Sequence, residues 1–185
     1  MKIICINGMP RSGKSTFVEK SLGILGSWGY EISTVDFVKE VAKYCGWNGE
    51  KTPKDRKFLS DLKDMLAEWN DVPFNKIKHG IYYEFLGTFR QFDIDTDKCI
   101  AFVHSREPEE LQRFKDELGA KTLLIRRKAV ENAEQSNHAD ANVFNFEYDY
   151  TIENNGDLDE LELKANEFIC QLLNEVWESN IKEEF

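Results

Sequence analysis

Gly8-Met9-Pro10-Arg11-Ser12-Gly13-Lys14-Ser15 is the stretch of this chain whose residue types and spacing point most directly to a chemistry. It fits G-x-x-x-x-G-K-[ST], the phosphate-binding P-loop. The motif needs a strand before it and a helix after it, and here Ile3-Ile4-Cys5-Ile6 precedes and a helical stretch from Thr16 to Leu22 follows. Glycines let the backbone curl so that successive N–H groups aim at phosphate oxygens, and the helix N-terminus adds partial positive charge. Lys14 is spaced to reach β- and γ-phosphates, and the Ser15 hydroxyl to take one position on Mg²⁺. The expected nucleotide contacts are therefore Gly8, Pro10, Arg11, Ser12, Gly13, Lys14, Ser15 and Thr16, with ATP and Mg²⁺ as the implied ligands. The competing reading is a plain turn joining strand to helix; two glycines followed by Lys-Ser in this setting weigh against it.

Other charged residues fall where they could join that loop. Glu31 to Asp36 reads as a second strand, with Asp36 at its carboxyl end, the side of a parallel sheet that faces ligand. Two roles stand open for Asp36: a contact to substrate or to Mg²⁺-bound water, or an N-cap for the helix Phe37 to Tyr44. A third strand, Cys99 to Val103, runs into His104-Ser105-Arg106, so Arg106 is expected at the crevice end of a central strand with an anion to meet. His104 reads as a hydrogen-bonded structural histidine, in a place where P-loop enzymes commonly carry an acid for Mg²⁺. A fourth strand, Thr122 to Ile125, ends in Arg126-Arg127-Lys128. There Arg126 or Arg127 could offset charge on a transferring phosphoryl group, with residues 127–146 as a lid that excludes water. The alternative for these cations is a basic surface loop.

The elements that must hold these residues alternate strand and helix, which predicts an α/β fold: a three-layer α/β/α sandwich around a five-stranded parallel sheet. Tyr148 to Ile152 supplies the fifth strand, and a long helix from Asp157 closes the chain, its core face running through Leu161, Phe168 and Leu172 to Val176. Between strands two and three lies a helical insertion, residues 45–95. Phe58, Leu59, Leu62, Met65, Leu66 and Trp69 recur at helical spacing and read as a core-facing stripe. Asn70-Asp71-Val72-Pro73 breaks that helix, and a second carries Phe74, Ile77, Ile81, Tyr82, Phe85, Leu86 and Phe89. Arg56 and Arg90 flank the pair. Arg56 could grip an acceptor phosphate with its planar fork, or simply lie on the surface.

With 185 residues and 41% hydrophobic content, the chain reads as one domain with one core. A net charge of −10 argues against general nucleic-acid affinity. Cys5, Cys45, Cys99 and Cys170 form no C-x-x-C pair, and three of them fall in apolar runs and read as buried thiols. No apolar run reaches transmembrane length and no signal-peptide pattern opens the chain, so a cytoplasmic location is expected, away from membrane.

Several of these pieces together resemble the P-loop nucleoside monophosphate kinases, above all the virus-type deoxynucleoside monophosphate kinases and the related phosphomevalonate kinases. Beyond the P-loop, Val35-Asp36-Phe37-Val38-Lys39-Glu40 is similar to the family's segment after its second strand. His104-Ser105-Arg106-Glu107-Pro108-Glu109-Glu110 resembles its Asp-x-Arg-Phe-x-Asn-Glu run, with histidine standing for the acid. Ile125-Arg126-Arg127 and Asn137-His138-Ala139-Asp140 resemble its lid, with the acid displaced by a residue. Asp149 to Gly156 is similar to its Asp-x-x-Ile-x-Asn-x-Gly ending, beside which adenine commonly lies. The resemblance implies that Arg106 touches substrate. Taken with the placements above, the expected acceptor contacts are Asp36, Lys39, Arg56 and Arg106, Asn155 is expected in the nucleotide site, and Lys14, Asp36, Arg106, Arg126 and Arg127 are expected to carry catalysis.

The expected activity is transfer of the ATP γ-phosphoryl group to a phosphate on a small acceptor, most simply a nucleoside or deoxynucleoside monophosphate. That chemistry needs two charged groups brought into line and neutralised, with no separate general base. A kinase of another small metabolite, or a nucleotide-dependent switch, stands as the alternative. A small molecule is the expected partner, and a homodimer is left open.

Overall fold

The computed structural model describes residues 1–131 and 142–183, with side chains described through residue 175. Five strands form one all-parallel sheet: β1 (Lys2–Asn7), β2 (Gly29–Ser33), β3 (Ile100–His104), β4 (Lys121–Arg126) and β5 (Tyr150–Glu153). Their spatial order is β2-β3-β1-β4-β5. β1 is therefore central, and the chain leaves it at a point where the strand order reverses, the place where open α/β sheets present a crevice.

The helices are α1 (Lys14–Leu25), α2 (Asp36–Tyr44), α3 (Pro53–Asn70), α4 (Val72–His79), α5 (Leu86–Arg90), α6 (Pro108–Leu118), α7 (Lys128–Glu131) and α8 (Leu158–Glu183). Alternation along β1 divides the core. Ile4 and Ile6 pack with Phe17 and Val18 of α1 and with Leu161, Phe168 and Leu172 of α8. Ile3 and Cys5 face the opposite way, onto Phe74 and Ile77 of α4 and Leu111 and Phe114 of α6. Two helical layers thus cover a sheet buried on both faces, the three-layer α/β architecture that the alternation of elements foretold.

Four details depart from the sequence reading. β2 ends at Ser33, and Asp36 lies in the first turn of α2 rather than at a strand end. The second helix of the insertion is α4 and α5 joined through a π-helical segment, Gly80–Phe85. A Cβ on Gly80 would stand 2.6 Å from Ile32 Cδ1 and 2.8 Å from Tyr30 Oη, so the bare glycine lets the helix lie close on the edge strand without displacing those side-chain ends. α3 forms as expected, started by a capping box between Thr52 and Asp55, yet none of its residues is buried. Its apolar stripe is not core. Finally, two thiols rather than three are buried: Cys5 and Cys99 lie inside, whereas Cys45 and Cys170 are exposed. Val176 and the acidic tail after Trp177 lie outside the described side chains.

Candidate functional site

The Gly8–Ser15 loop connects β1 to α1 at the carboxyl edge of the sheet. Three of its residues take positive φ: Gly8 at 150°, Arg11 at 64° and Gly13 at 98°. Such a sequence of reversals curls the backbone into a concavity lined by N–H groups. α1 begins at Lys14 with no side-chain cap hydrogen bond at its N-terminus, so its first N–H groups open onto the loop.

The loop is held from three sides. A Cβ on Gly8 would come within 2.3 Å of the Ile125 carbonyl oxygen and 2.7 Å of Ser12 Oγ. A Cβ on Gly13 would come within 2.3 Å of Asn154 Nδ2, which donates to the Ser12 carbonyl at 2.8 Å. Lys14 Nζ donates to the carbonyls of Gly8 and Met9, folding back over the loop. Ser12 Oγ is the buried side-chain polar atom without a hydrogen-bond partner among the described residues. A buried hydroxyl left unpaired costs about 1–3 kcal/mol, and it sits inside the loop, 2.7 Å from where a Cβ on Gly8 would stand. Arg11 and Ser15 are exposed at the mouth, with Pro10 and Thr16 half-buried.

Asn7, fully buried at the end of β1, anchors this loop to its neighbours. Its Oδ1 accepts from Gly8 N at 2.8 Å, and its Nδ2 donates to the Arg106 carbonyl at 3.2 Å and to Tyr148 Oη at 2.8 Å. Tyr148 in turn donates to the Val143 carbonyl at 2.8 Å. Burial pushes the phenol up to about 12, against a smaller opposing effect of Asn7, so it remains a donor across the working range. Arg106 follows β3 and is exposed, its backbone fixed by Asn7.

His104, the last residue of β3, pairs with Glu31 of the neighbouring strand, Nε2 to Oε1 at 2.7 Å. The strand register Ser33↔His104 brings them together. Burial is the largest influence on the imidazole and holds it below the ordinary histidine value. Glu31 opposes, Lys14 pushes further down, and Asp36 opposes. Lys14, Asp36, Glu31 and His104 therefore share one electrostatic neighbourhood. Asp36 itself is committed locally: its Oδ2 accepts from Ser33 N at 2.8 Å and its Oδ1 pairs with Lys39 Nζ at 3.0 Å. Asp36 is the first residue of α2 and not its N-cap, which is Val35; its carboxylate bonds back to Ser33 N rather than forward to a helical N–H, so the expected capping role is not the one it has.

The remaining sequence-derived residues divide. Arg126 ends β4 beside the loop and pairs with Glu131 of α7 at 2.6 Å, with Glu153 at 3.8 Å. Arg127 is half-buried at the start of α7, its carbonyl accepting from Val130 N. Arg56 lies in the first turns of α3, its Nε donating to the Lys51 carbonyl at 3.2 Å, and Arg90 ends α5. Asn155 accepts from Lys128 N at 2.8 Å and donates to Glu153. It is Asn154, one residue earlier, whose side chain touches the loop. Asn137, His138, Ala139 and Asp140 lie outside the described residues. Three residues central to this geometry were missing from the expected site: Asn7, Glu31 and Asn154. The Asn in the Asp-x-x-Ile-x-Asn-x-Gly pattern falls on Asn154, and that was the available signal for it.

These features define the class plainly: an α/β three-layer fold with an all-parallel sheet and a curled, glycine-dependent loop at its carboxyl edge. No family model matches the chain, and no curated protein matches it. Among solved structures it is similar to a crystal structure of TT1252 from Thermus thermophilus, at 16% sequence identity and a TM-score of 0.44, over 92% of this chain and 97% of that one. A likeness that distant carries no argument about function.

Proposed function

We propose that the protein transfers the γ-phosphoryl group of ATP to a phosphate on a small acceptor, a nucleoside or deoxynucleoside monophosphate. The observation that carries this reading is the Gly8–Ser15 curl. Both glycines are sterically required, and the curl holds one orphaned hydroxyl, one lysine and an uncapped helix N-terminus. In this reading the loop's N–H groups and Lys14 bind the polyphosphate. Lys14 exchanges its two carbonyl contacts for phosphate oxygens, which a charged donor favours strongly. Arg106 meets the acceptor phosphate, and Arg126 and Arg127 approach from the β4 end. A divalent cation at the Ser15 hydroxyl would offset charge on the phosphates when bound.

His104 and Glu31 fit this scheme as a unit. A neutral imidazole bonded to a carboxylate carries one negative charge in all, the charge that a single acid at position 104 would have carried. The pair therefore keeps the balance against Lys14 while filling more space. No general base is needed, because an acceptor phosphate is already ionised.

The test is ADP formation from ATP and Mg²⁺ over a panel of nucleoside and deoxynucleoside monophosphates, with Lys14→Ala as the blank. The proposal expects little turnover without acceptor and a marked rise with one of them. Hydrolysis indifferent to every acceptor would replace it with a switch, and equal rates in the Lys14→Ala protein would remove the loop from the chemistry.

A further inference from the structure

We propose that the outer face of α3 docks a second copy of this chain in antiparallel register, giving a two-fold dimer. The inference stands apart from any phosphate chemistry.

α3 is fixed to the body of the protein along one side. Lys63 bridges to Glu110 of α6 at 2.6 Å, and Asp71, just past its end, takes both arms of Arg113 at 2.6 and 2.7 Å. Leu59, Leu62 and Leu66 are half-buried on that side. Next to them runs a second apolar row that, among the described residues, grows more open toward the carboxyl end: Phe58, Met65 and Trp69, 36%, 62% and 83% exposed. At about 100° per residue these three lie within roughly 40° of one another. They form a straight ridge on a rigid helix.

Charge names the occupant. Beside that ridge, Lys54 and Lys57 occupy the first turns of α3, Asp61 its middle, and Asp64 and Glu68 its carboxyl half. Within one helix this distribution is unfavourable, since cations sit toward the positive end of the macrodipole and anions toward the negative end. Even the Lys57–Asp61 pair, at 2.7 Å, runs in the weaker direction for an i,i+4 contact. An antiparallel second copy offsets the dipole penalties. With the axis near Asp61, Phe58 meets Met65 of the other copy, Lys54 meets Glu68, and the two helix dipoles oppose; the two Asp61 carboxylates face across the axis, each held by Lys57 of its own helix. A heterologous partner would need to reproduce this pattern; a second copy has it by symmetry.

The net charge of −10 on each chain does not forbid the contact. At about 0.15 M salt the Debye length is about 8 Å, which screens the bodies from each other while leaving facing side chains coupled. The ridge is small, so the dimer is a weak, concentration-dependent one.

Sedimentation velocity of the full chain at 0.15 M salt, from micromolar to a few hundred micromolar, tests this directly. The expected result is a reversible monomer–dimer equilibrium. Met65→Glu should abolish it, and Lys54→Glu should raise the dissociation constant about tenfold. The double swap Lys54→Glu with Glu68→Lys should restore it, while circular dichroism melts stay unchanged for these exposed sites. A wild type that is monomeric throughout overturns the proposal, as does a dimer indifferent to both single variants. A monomer whose Trp69 fluorescence shifts when nucleotide is added also overturns it, and assigns the ridge to closure within one chain.

Discussion

Replacing Gly13 by alanine probes the loop at its tightest point. Two independent costs follow from the structure. At φ 98° a side-chain-bearing residue is strained by about 1–3 kcal/mol. The new methyl would also stand 2.3 Å from Asn154 Nδ2, forcing that buried amide off the Ser12 carbonyl. Leaving those groups unpaired costs about another 1–3 kcal/mol. The sum, about 2–6 kcal/mol, is a large part of the 5–15 kcal/mol that typically holds a domain together. At this chain length it corresponds to a fall in Tm of roughly 5–20 °C. Gly119→Ala is the matched control: φ is 63° there, but its Cβ would meet nothing within 4 Å, so only a backbone cost of about 1–2 kcal/mol remains. The double variant Gly13→Ala with Asn154→Ala removes the collision and should destabilise less than the two single effects added together. Differential scanning calorimetry of the wild type, the three single variants Gly13→Ala, Gly119→Ala and Asn154→Ala, and the double variant decides the matter. If Gly13→Ala and Gly119→Ala melt together, or if the two effects simply add, the close packing of Asn154 on the loop is refuted.

On the proposed phosphoryl-transfer reading, MgATP should raise the Tm of the wild type, and Lys14→Ala should abolish that rise and lower ADP formation by at least about a hundredfold. Glu31→Gln removes a carboxylate that raises the His104 pKa, so the imidazole titration followed by NMR should move to lower pH. Because the fold already holds His104 below its ordinary value, its contribution to stability is complete above about pH 6.5. That contribution is lost as pH falls from there through the folded value, and Glu31→Gln should extend the loss to lower pH. For Asp149, burial pushes the carboxyl up, but hydrogen bonds from Thr122 and the contact with Lys115 outweigh it and leave the pKa depressed. Its stabilisation is thus present at neutral pH and lost on acidification through the carboxylate range; denaturation curves from pH 7 to 3 should fall less steeply for Asp149→Asn. Arg113→Met should cost only about 1 kcal/mol by urea denaturation, since its bidentate pair with Asp71 is 40% and 37% exposed.

What could be read from the chain was what is written locally. The loop, the strand before it and the helix after it are contiguous, so their residue types alone specify them. The π-helical segment follows from no such pattern, because one extra residue per turn leaves the spacing of Ile81, Phe85 and Phe89 intact. Periodicity also made α3 amphipathic without saying what covers its stripe, and among the described residues the row through Met65 and Trp69 stays largely exposed. Glu31 and His104 are 73 positions apart and meet only through strand register. Asp36 looked like the last residue of a strand because β-branched neighbours precede it; its own bond back to Ser33 draws it into the helix instead.

The Asn7 amide has a mechanical corollary. Its two N–H groups and its oxygen are all spent, one on each of three different segments, and Tyr148 extends that line to the Val143 carbonyl. Backbone near Val143 cannot lift without either stripping the phenol of its acceptor or tugging the amide that fixes Gly8. Motion at one rim of the crevice is thereby geared to the floor of the other, so a variant such as Tyr148→Phe should free the rim while leaving the floor in place.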